Sequence, residues 1–182
     1  MKEVLVFMAD GTEEIEALTV VDLLRRVNIP VSMVSVNDAE YVTGSHAITI
    51  KMDMGISSVD FDNAAMIVLP GGMPGTNKLM DSEKLTKMIH TFAEEGKYLA
   101  AICAAPSILG VNDLLEGKTA TCYPGFEEKL MGANCVKEPV AVDGNIITSR
   151  GLGTAIEFAA AIVSALLSPE DADTLLKQVI YK

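Results

Sequence analysis

The chain has 182 residues, of which 49% are apolar, and a formal net charge of −11 at pH 7. This length predicts one domain over residues 1–182, and the negative charge makes nucleic acids and anionic membranes poor partners. Three widely spaced cysteines indicate a reducing compartment, and the apolar runs are too short for a signal peptide or a membrane span. We therefore expect a cytoplasmic protein that binds neither nucleic acid nor membrane.

Short apolar segments alternate with helical patterns along the chain. Strands are predicted at residues 4–8, 31–36, 66–69, 98–102 and 145–148. Helices are predicted near residues 13–28, 82–95, 104–115, 125–131 and 153–167, with a last helix capped by Ser168. The stretch YVTGSHAITIKMD predicts an inserted β-hairpin that turns at Gly44 and Ser45. This order predicts an α/β fold, with a mostly parallel central sheet and helices on both of its faces.

Three segments that follow predicted strands contain unusual residues: MADGTEEIE, LPGGMPG and AAICAAP. Ligands of open parallel sheets bind beyond the carboxyl ends of the strands. In the first segment, acids near a helix N-terminus are favoured by the helix dipole, which is enough to explain Glu14 on the polar arc. Glu16 instead lies on the same arc as Val20 and Leu24, which is expected to be buried. Because burial raises the pKa of a carboxyl group, Glu16 is either a functional acid or a paired core acid.

The second segment, LPGGMPG, is rich in glycine. Gly71 and Gly72 lack side chains, so their backbone N–H groups can approach a ligand closely. The segment is either an ordinary tight turn or, beside a nucleophile on the next strand, part of an oxyanion hole. It lacks the GxGxxG pattern of dinucleotide sites, and no cofactor is expected.

The third segment places Cys103 where a predicted strand passes into a predicted helix, among alanines at positions 100, 101, 104 and 105. A nucleophile elbow needs such a sharp turn and small neighbours, and a helix N-terminus favours the thiolate. The alternative is a small buried apolar residue, which is the commoner role of a free cysteine. The sequence has no CxxC motif and its histidines, His46 and His90, are far apart, so no metal site is predicted.

Four motifs in a fixed order carry a family resemblance: GTEEIE, VLPGGMPG, AAICAAP and TSRGLGTAIEFAAAIV. Together they resemble the ThiJ/PfpI superfamily, and within it the branch of the Parkinsonism-associated deglycase. The resemblance extends from residue 3 to the C-terminal helix, and Arg150 and Gly151 match the family's SRG segment. It implies a single ThiJ/PfpI-like domain, a flavodoxin-like three-layer sandwich, and a homodimer with the first helix at its interface.

The resemblance also implies roles for individual residues. Cys103 matches the family's reactive cysteine, and Glu16 matches its protonated partner, which donates a hydrogen bond to the thiolate or to an oxidised sulfur. Gly71, Gly72 and Ala104 match the positions whose backbone N–H groups line the oxyanion site.

The sequence departs from the family's pattern at several of the site positions. Ala104 stands where the protease-like branch has a histidine, which argues against a Cys–His nucleophile. Tyr123 stands where many relatives have a histidine near the thiol, and His46 replaces an arginine of the hairpin. Either residue is a candidate for substrate binding in place of the missing histidine. Cys122 is a candidate redox partner of the reactive cysteine.

Two functions of different classes follow from the resemblance. The first is a cofactor-free enzyme acting on reactive dicarbonyls such as methylglyoxal, or on glycated adducts, as a glyoxalase or deglycase. The second is an oxidative-stress sensor or redox-regulated chaperone, acting through oxidation of Cys103 to the sulfinic acid. A weaker third alternative, a role in thiazole monophosphate biosynthesis, follows only from the family's older label.

Overall fold

A seven-stranded sheet forms the centre of the molecule in the computed structural model, which describes residues 2–181. Its strands are β1 (Glu3–Met8), β2 (Val31–Ser35), β5 (Met54–Gly55), β6 (Ala64–Leu69), β7 (Tyr98–Ile102), β10 (Val140–Asp143) and β11 (Ile146–Ser149). Two small two-stranded sheets consist of β3 (Tyr41–Thr43) with β4 (Thr49–Lys51) and β8 (Thr119–Ala120) with β9 (Asn134–Cys135). The strands are rich in β-branched and apolar residues, as expected for strands buried on both faces.

The large sheet has the order β10-β11-β7-β6-β1-β2-β5. β1 pairs in parallel with β2 and β6, β7 pairs in parallel with β6 and β11, and β10 is antiparallel to β11. The five long parallel strands therefore follow the order 2-1-3-4-5 of flavodoxin-like folds. This order reverses direction between β1 and β6, which is where such sheets bind their ligands.

Helices cover both faces of this sheet and enclose two apolar clusters. The helices are α1 (Glu14–Arg26), α2 (Gly75–Met80), α3 (Glu83–Glu94), α4 (Pro106–Val111), α5 (Ala155–Leu166) and α6 (Pro169–Gln178). The first cluster joins α1, α5 and α6 to one face, through residues such as Leu24 and Phe158. The second joins α2, α3 and α4 to the other face, through residues such as Phe92 and Ile108. The predicted three-layer α/β sandwich is confirmed.

Several predicted elements differ in detail from the observed ones. The helix predicted near residues 125–131 is only a short 3-10 turn, Glu127–Lys129, between two glycines with positive φ angles at 125 and 132. The helix predicted at 104–115 begins at Pro106 and ends at Val111. The short helix α2 and the strand β10 were not predicted. Ser168 caps α6 as predicted, because its hydroxyl accepts the backbone N–H of Asp171 at 3.1 Å.

The inserted β-hairpin is present as β3 and β4, and it folds over the start of α1. Its connection spans residues 44–48, which is longer than the predicted turn at Gly44 and Ser45. A Cβ atom on Gly44 would lie 2.3 Å from the Cγ of Glu14, so only glycine permits this approach. Among residues 2–181, no helix is both long enough and apolar enough to cross a membrane.

Candidate active site

The three segments singled out in the sequence meet at one edge of the sheet. They follow β1, β6 and β7, which are neighbours in the sheet order, so their carboxyl ends lie side by side. Glu16 comes from the first turn of α1, Gly71 from the loop after β6, and Cys103 from the end of β7. Glu16 is 1% exposed, as its position on the apolar arc predicted.

Gly71 forms the contact between the acid and the cysteine. Its backbone N–H donates to Oε2 of Glu16 at 2.9 Å. A Cβ atom on Gly71 would lie 2.6 Å from the Cβ of Cys103 and 2.8 Å from the same carboxylate oxygen. A larger residue would separate the two side chains, so the absence of a side chain at position 71 is a condition for their contact.

Cys103 occupies a backbone conformation that non-glycine residues rarely adopt. Its φ angle is +66°, which costs about 1–2 kcal/mol for an L-residue. Hydrogen bonds on both sides fix it: its N–H donates to the carbonyl of Ser149 at 3.0 Å, and its carbonyl accepts the N–H of Tyr123 at 2.8 Å. The residue is half-buried, and Ala104 and Ala105 beside it are buried. This strained turn after a strand is the arrangement of a nucleophile elbow.

Polar groups surround the sulfur of Cys103. The Cys103 thiol and the Glu16 carboxylate affect each other's pKa, and the backbone N–H groups of Gly72 and Ala104 lower the pKa of the thiol. These two N–H groups are therefore placed to hold negative charge on the sulfur or on an oxygen bound near it. The N–H of Gly71, which the sequence assigned to the same site, is directed to Glu16 instead.

The acid and the thiol affect each other's ionisation. Burial raises the pKa of Glu16 to about 7, although the hydrogen bonds from Gly71 and Cys103 lower it. Burial and the negative charge of Glu16 raise the pKa of Cys103 to about 12, against the lowering effect of the Ala104 and Gly72 N–H groups. The expectation that a helix N-terminus would lower the thiol pKa is not met, because α4 begins only at Pro106 and is short.

Glu14 is a polar residue whose environment the sequence did not reveal. Helical periodicity put it on the polar arc, but it is 1% exposed because the hairpin covers it. Burial by itself would raise its pKa. Hydrogen bonds from its own backbone, from the backbone N–H groups of His46 and Ile48 and from the His46 ring outweigh this effect and lower the pKa to about 2. The residues that donate to Glu14, His46 and Ile48, lie more than 30 positions after it in the chain, and the helical periodicity of α1 gives no information about them.

His46 lies against the acids of α1. Its Nδ1 is 3.1 Å from Oε2 of Glu14 and 3.5 Å from Oε2 of Glu13, and its side chain is 67% exposed. The ligand atoms of these three residues lie within 4.8 Å of one another, a grouping that the sequence did not predict. They are the described residues that could together approach a divalent cation. A role of His46 in substrate binding stays a prediction. His90 is distant in sequence and pairs with Asn112, with 3.2 Å between Nε2 and Oδ1.

Tyr123 and Cys122 follow β8 and lie on different sides of the chain. Tyr123 is half-exposed, and its ring is 3.3 Å from the position that a Cβ atom on Gly151 would take. Cys122 is 2% exposed in the second apolar cluster, and burial together with the charge of Glu127 raises its pKa to about 11. Cys103 packs against the first cluster, on the other face of the sheet. A disulfide between the two cysteines would therefore require rearrangement, and this redox role also stays a prediction.

A cavity of about 290 Å³ lies beside the reactive pair, lined by residues 123–124 and 150–154. The backbone N–H of Leu152, one of these lining residues, lowers the pKa of Glu16. The Cβ position of Gly151 is 3.8 Å from Oε1 of Glu16. Of these residues, Tyr123 was assigned to substrate binding from the sequence, whereas the wall formed by 150–154 was seen only as part of a family motif.

Comparison with known proteins agrees with the resemblance seen in the sequence. The model of the DJ-1/PfpI family matches residues 2–165. Protein DJ-1 homolog B of Arabidopsis thaliana is 42% identical over 173 residues, which are 94% of this chain. A solved structure of oxidized DJ-1 from Toxoplasma gondii superposes with a TM-score of 0.94 at 38% identity, covering 99% of this chain and 98% of that one.

A third relative has an activity in its name. The glutathione-independent glyoxalase DJR-1.2 of Caenorhabditis elegans is 31% identical over 170 residues, which are 92% of this chain and 90% of that protein. The chain spans only 40% of the length of the Arabidopsis relative. The similarity therefore concerns one part of the plant protein and nearly all of the nematode protein.

Proposed function

The chain belongs to the DJ-1/PfpI family, and on that premise we propose that it is a cofactor-free enzyme acting on reactive 2-oxoaldehydes such as methylglyoxal. The observation that supports this most is the contact between the Cys103 thiol and the Glu16 carboxylate, with two backbone N–H groups at the sulfur. The glutathione-independent glyoxalase activity named for the nematode relative is of the same chemical class. Adducts of such aldehydes with proteins or nucleotides are the wider substrate class.

The proposed reaction begins with proton transfer from the thiol to Glu16. The pKa of Glu16, about 7, suits a group that accepts and returns protons near neutral pH. The thiolate attacks the aldehyde carbon, and the alkoxide that forms is held by the N–H groups of Gly72 and Ala104. Glu16 then returns its proton to this oxygen, which gives a neutral hemithioacetal.

The same carboxylate carries the second proton transfer. Glu16 removes the hydrogen from the former aldehyde carbon, and an enediolate forms. The proton returns to the neighbouring carbon, which gives a thioester between Cys103 and a 2-hydroxy acid. Water hydrolyses the thioester and releases lactate and the free thiol. Methylglyoxal and one water thus become lactic acid, with one carbon oxidised and its neighbour reduced, so no external oxidant is needed.

The test is lactate production from methylglyoxal without added thiol, compared between the wild type and Cys103→Ser. We expect lactate from the wild type and about a thousandfold less, or none, from the variant, because a hydroxyl is a much weaker nucleophile than a thiolate. A wild-type rate no higher than that of the variant would contradict the enzymatic proposal. Oxidation of Cys103 to the sulfinic acid would then be the remaining function, since Glu16 and the two N–H groups could also hold oxygens on the sulfur.

A further inference from the structure

Arg150 is a basic residue that lines the cavity beside Glu16. Its backbone N–H donates to the carbonyl of Pro139 at 3.3 Å, but its guanidinium has no hydrogen bond or ion pair with any residue from 2 to 181. The residue is half-buried and lines the cavity. A half-buried guanidinium has lost part of its hydration, and it regains favourable interactions when a carboxylate binds to it.

Glu127, an acid whose pKa the charge of Arg150 lowers, forms no ion pair with this guanidinium. Backbone N–H groups of Glu127 and Gly125 lower the pKa of Glu127, and the charges of Arg150 and Lys137 lower it further. The carboxylate of Glu127 accepts the N–H of Gly125 at 2.7 Å, and it lies beyond ion-pair distance of Arg150. The chain contains only 14 basic residues against 25 acidic ones, so its net field repels anions. Arg150 is the one basic residue among the described residues that line the cavity.

The cavity that Arg150 lines lies next to Glu16 and to the backbone of Cys103. Gly151, the next residue, has its Cβ position 3.8 Å from Oε1 of Glu16, and Tyr123 on the other wall donates its N–H to the carbonyl of Cys103. Cys103 does not itself line the 290 Å³ cavity, so a three-carbon dicarbonyl bound at Cys103 would leave the cavity unfilled. A longer molecule could place its aldehyde at Cys103 and its other end at Arg150.

We propose that Arg150 binds the carboxylate of the substrate, so that the site prefers 2-oxoaldehydes with an anionic tail over neutral ones. This inference rests on the proposed function. A suitable probe is 4,5-dioxopentanoate, which has a 2-oxoaldehyde at one end and a carboxylate at the other. Addition of one water would convert it to 2-hydroxyglutarate: the aldehyde carbon becomes a carboxylate, the ketone carbon becomes an alcohol, and no other reactant is consumed.

The first test needs no turnover. Alkylation of Cys103 by iodoacetamide is measured on its own peptide by mass spectrometry, because Cys135 is exposed and also reacts. Levulinate, which is the probe with a methyl group in place of its aldehyde, is the protecting ligand, and neutral 2-pentanone is its comparison. We expect levulinate to protect the wild type better than 2-pentanone does, and its apparent Kd to rise about tenfold or more in Arg150→Met. Lys137→Met is the matched control, because Lys137 is exposed, also acts on Glu127, and does not line the cavity.

Equal protection of the wild type and Arg150→Met by levulinate would overturn the inference, as would protection no better than that by 2-pentanone. The second test compares kcat/KM for 4,5-dioxopentanoate with that for neutral 2-oxopentanal. We expect this ratio to fall about tenfold or more in Arg150→Met and to be kept in Lys137→Met. A failure of the proposed function is recognised separately, because methylglyoxal then gives no lactate. The protection of Cys103 by levulinate is measured without turnover, so it tests the role of Arg150 whether or not lactate forms.

Discussion

Two glutamates of the same helix, two residues apart and both 1% exposed, have opposite acid–base properties. Glu14 has a pKa of about 2 and Glu16 a pKa of about 7. Glu14 accepts N–H groups from its own backbone and from the hairpin and faces an imidazole, whereas Glu16 accepts from Gly71 and Leu152 and faces a thiol. The comparison teaches that burial sets the cost of a charge, and that the donors around it decide whether the charge persists. Glu14 holds the hairpin as a permanent anion, while Glu16 is free to exchange protons.

The largest expected difference between the two glutamates is in catalysis. We expect Glu16→Gln to lower the rate of lactate formation from methylglyoxal by about 10²- to 10⁴-fold, because the amide cannot accept the thiol proton. Glu14→Gln serves as the matched control, with the same chemical change on a carboxylate that faces the hairpin. We expect a much smaller loss from it, with Cys103 still open to alkylation. Equal losses in both variants would mean that the proton-exchange role of Glu16 is wrong.

The second difference is in the pH dependence of the free energy of unfolding. The folded-state pKa of Glu16, about 7, lies above its ordinary value of 4.5. Its contribution to stability is therefore fully present below pH 4.5 and is lost as the pH rises through 7, by about 3 kcal/mol in total. Urea unfolding at intervals from pH 4 to 8 should show the wild type losing about this much relative to Glu16→Gln.

Glu14 provides a contrast to this measurement, because its pKa is lowered by folding whereas that of Glu16 is raised. Its folded-state pKa lies below 4.5, so its contribution is present above pH 4.5 and is lost as the pH falls toward 2. Relative to Glu14→Gln, the wild type should lose stability only on the acid side. A wild type that tracks Glu16→Gln at every pH would show that Glu16 is not perturbed by burial.

The smallest expected effect concerns His46. Its hydrogen bond to Glu14, and then the charge of Glu13, raise its pKa above 6.5, although the ring is largely exposed and therefore screened by water. The pKa is measured from the NMR shifts of the ring protons during a pH titration. It should move back toward 6.5 in Glu14→Gln. A wild-type value at or below 6.5 would show that the hairpin does not hold its ring against α1 in solution.

The sequence allowed the layers of the fold and the meeting of Glu16 with Cys103 at one edge of the sheet to be predicted, because both depend on local patterns. Alternation of strands and helices led to the parallel sheet, and helical periodicity put Glu16 on the buried arc. Glu14 was wrongly predicted to be exposed, because the hairpin that covers it and donates hydrogen bonds to it is distant in sequence and leaves no mark on the periodicity of α1. The thiol pKa was misjudged because α4 begins at Pro106 and because the charge of Glu16 acts through space. The place of Arg150 in the lining of a cavity depends on how distant segments enclose that cavity, which a motif does not show.

The two hydrogen bonds that hold the backbone of Cys103 have a consequence for its mobility. They join Cys103, in the turn directly after β7, to Ser149 at the end of β11 and to Tyr123, so this turn is tied by hydrogen bonds to the edge of the sheet. Segments of this kind open with nearly the free energy of global unfolding, whereas loops open at little cost. Loss of the backbone geometry of Cys103 thus requires breaking hydrogen bonds at the ends of the central strands, so this geometry persists as long as those strand ends do.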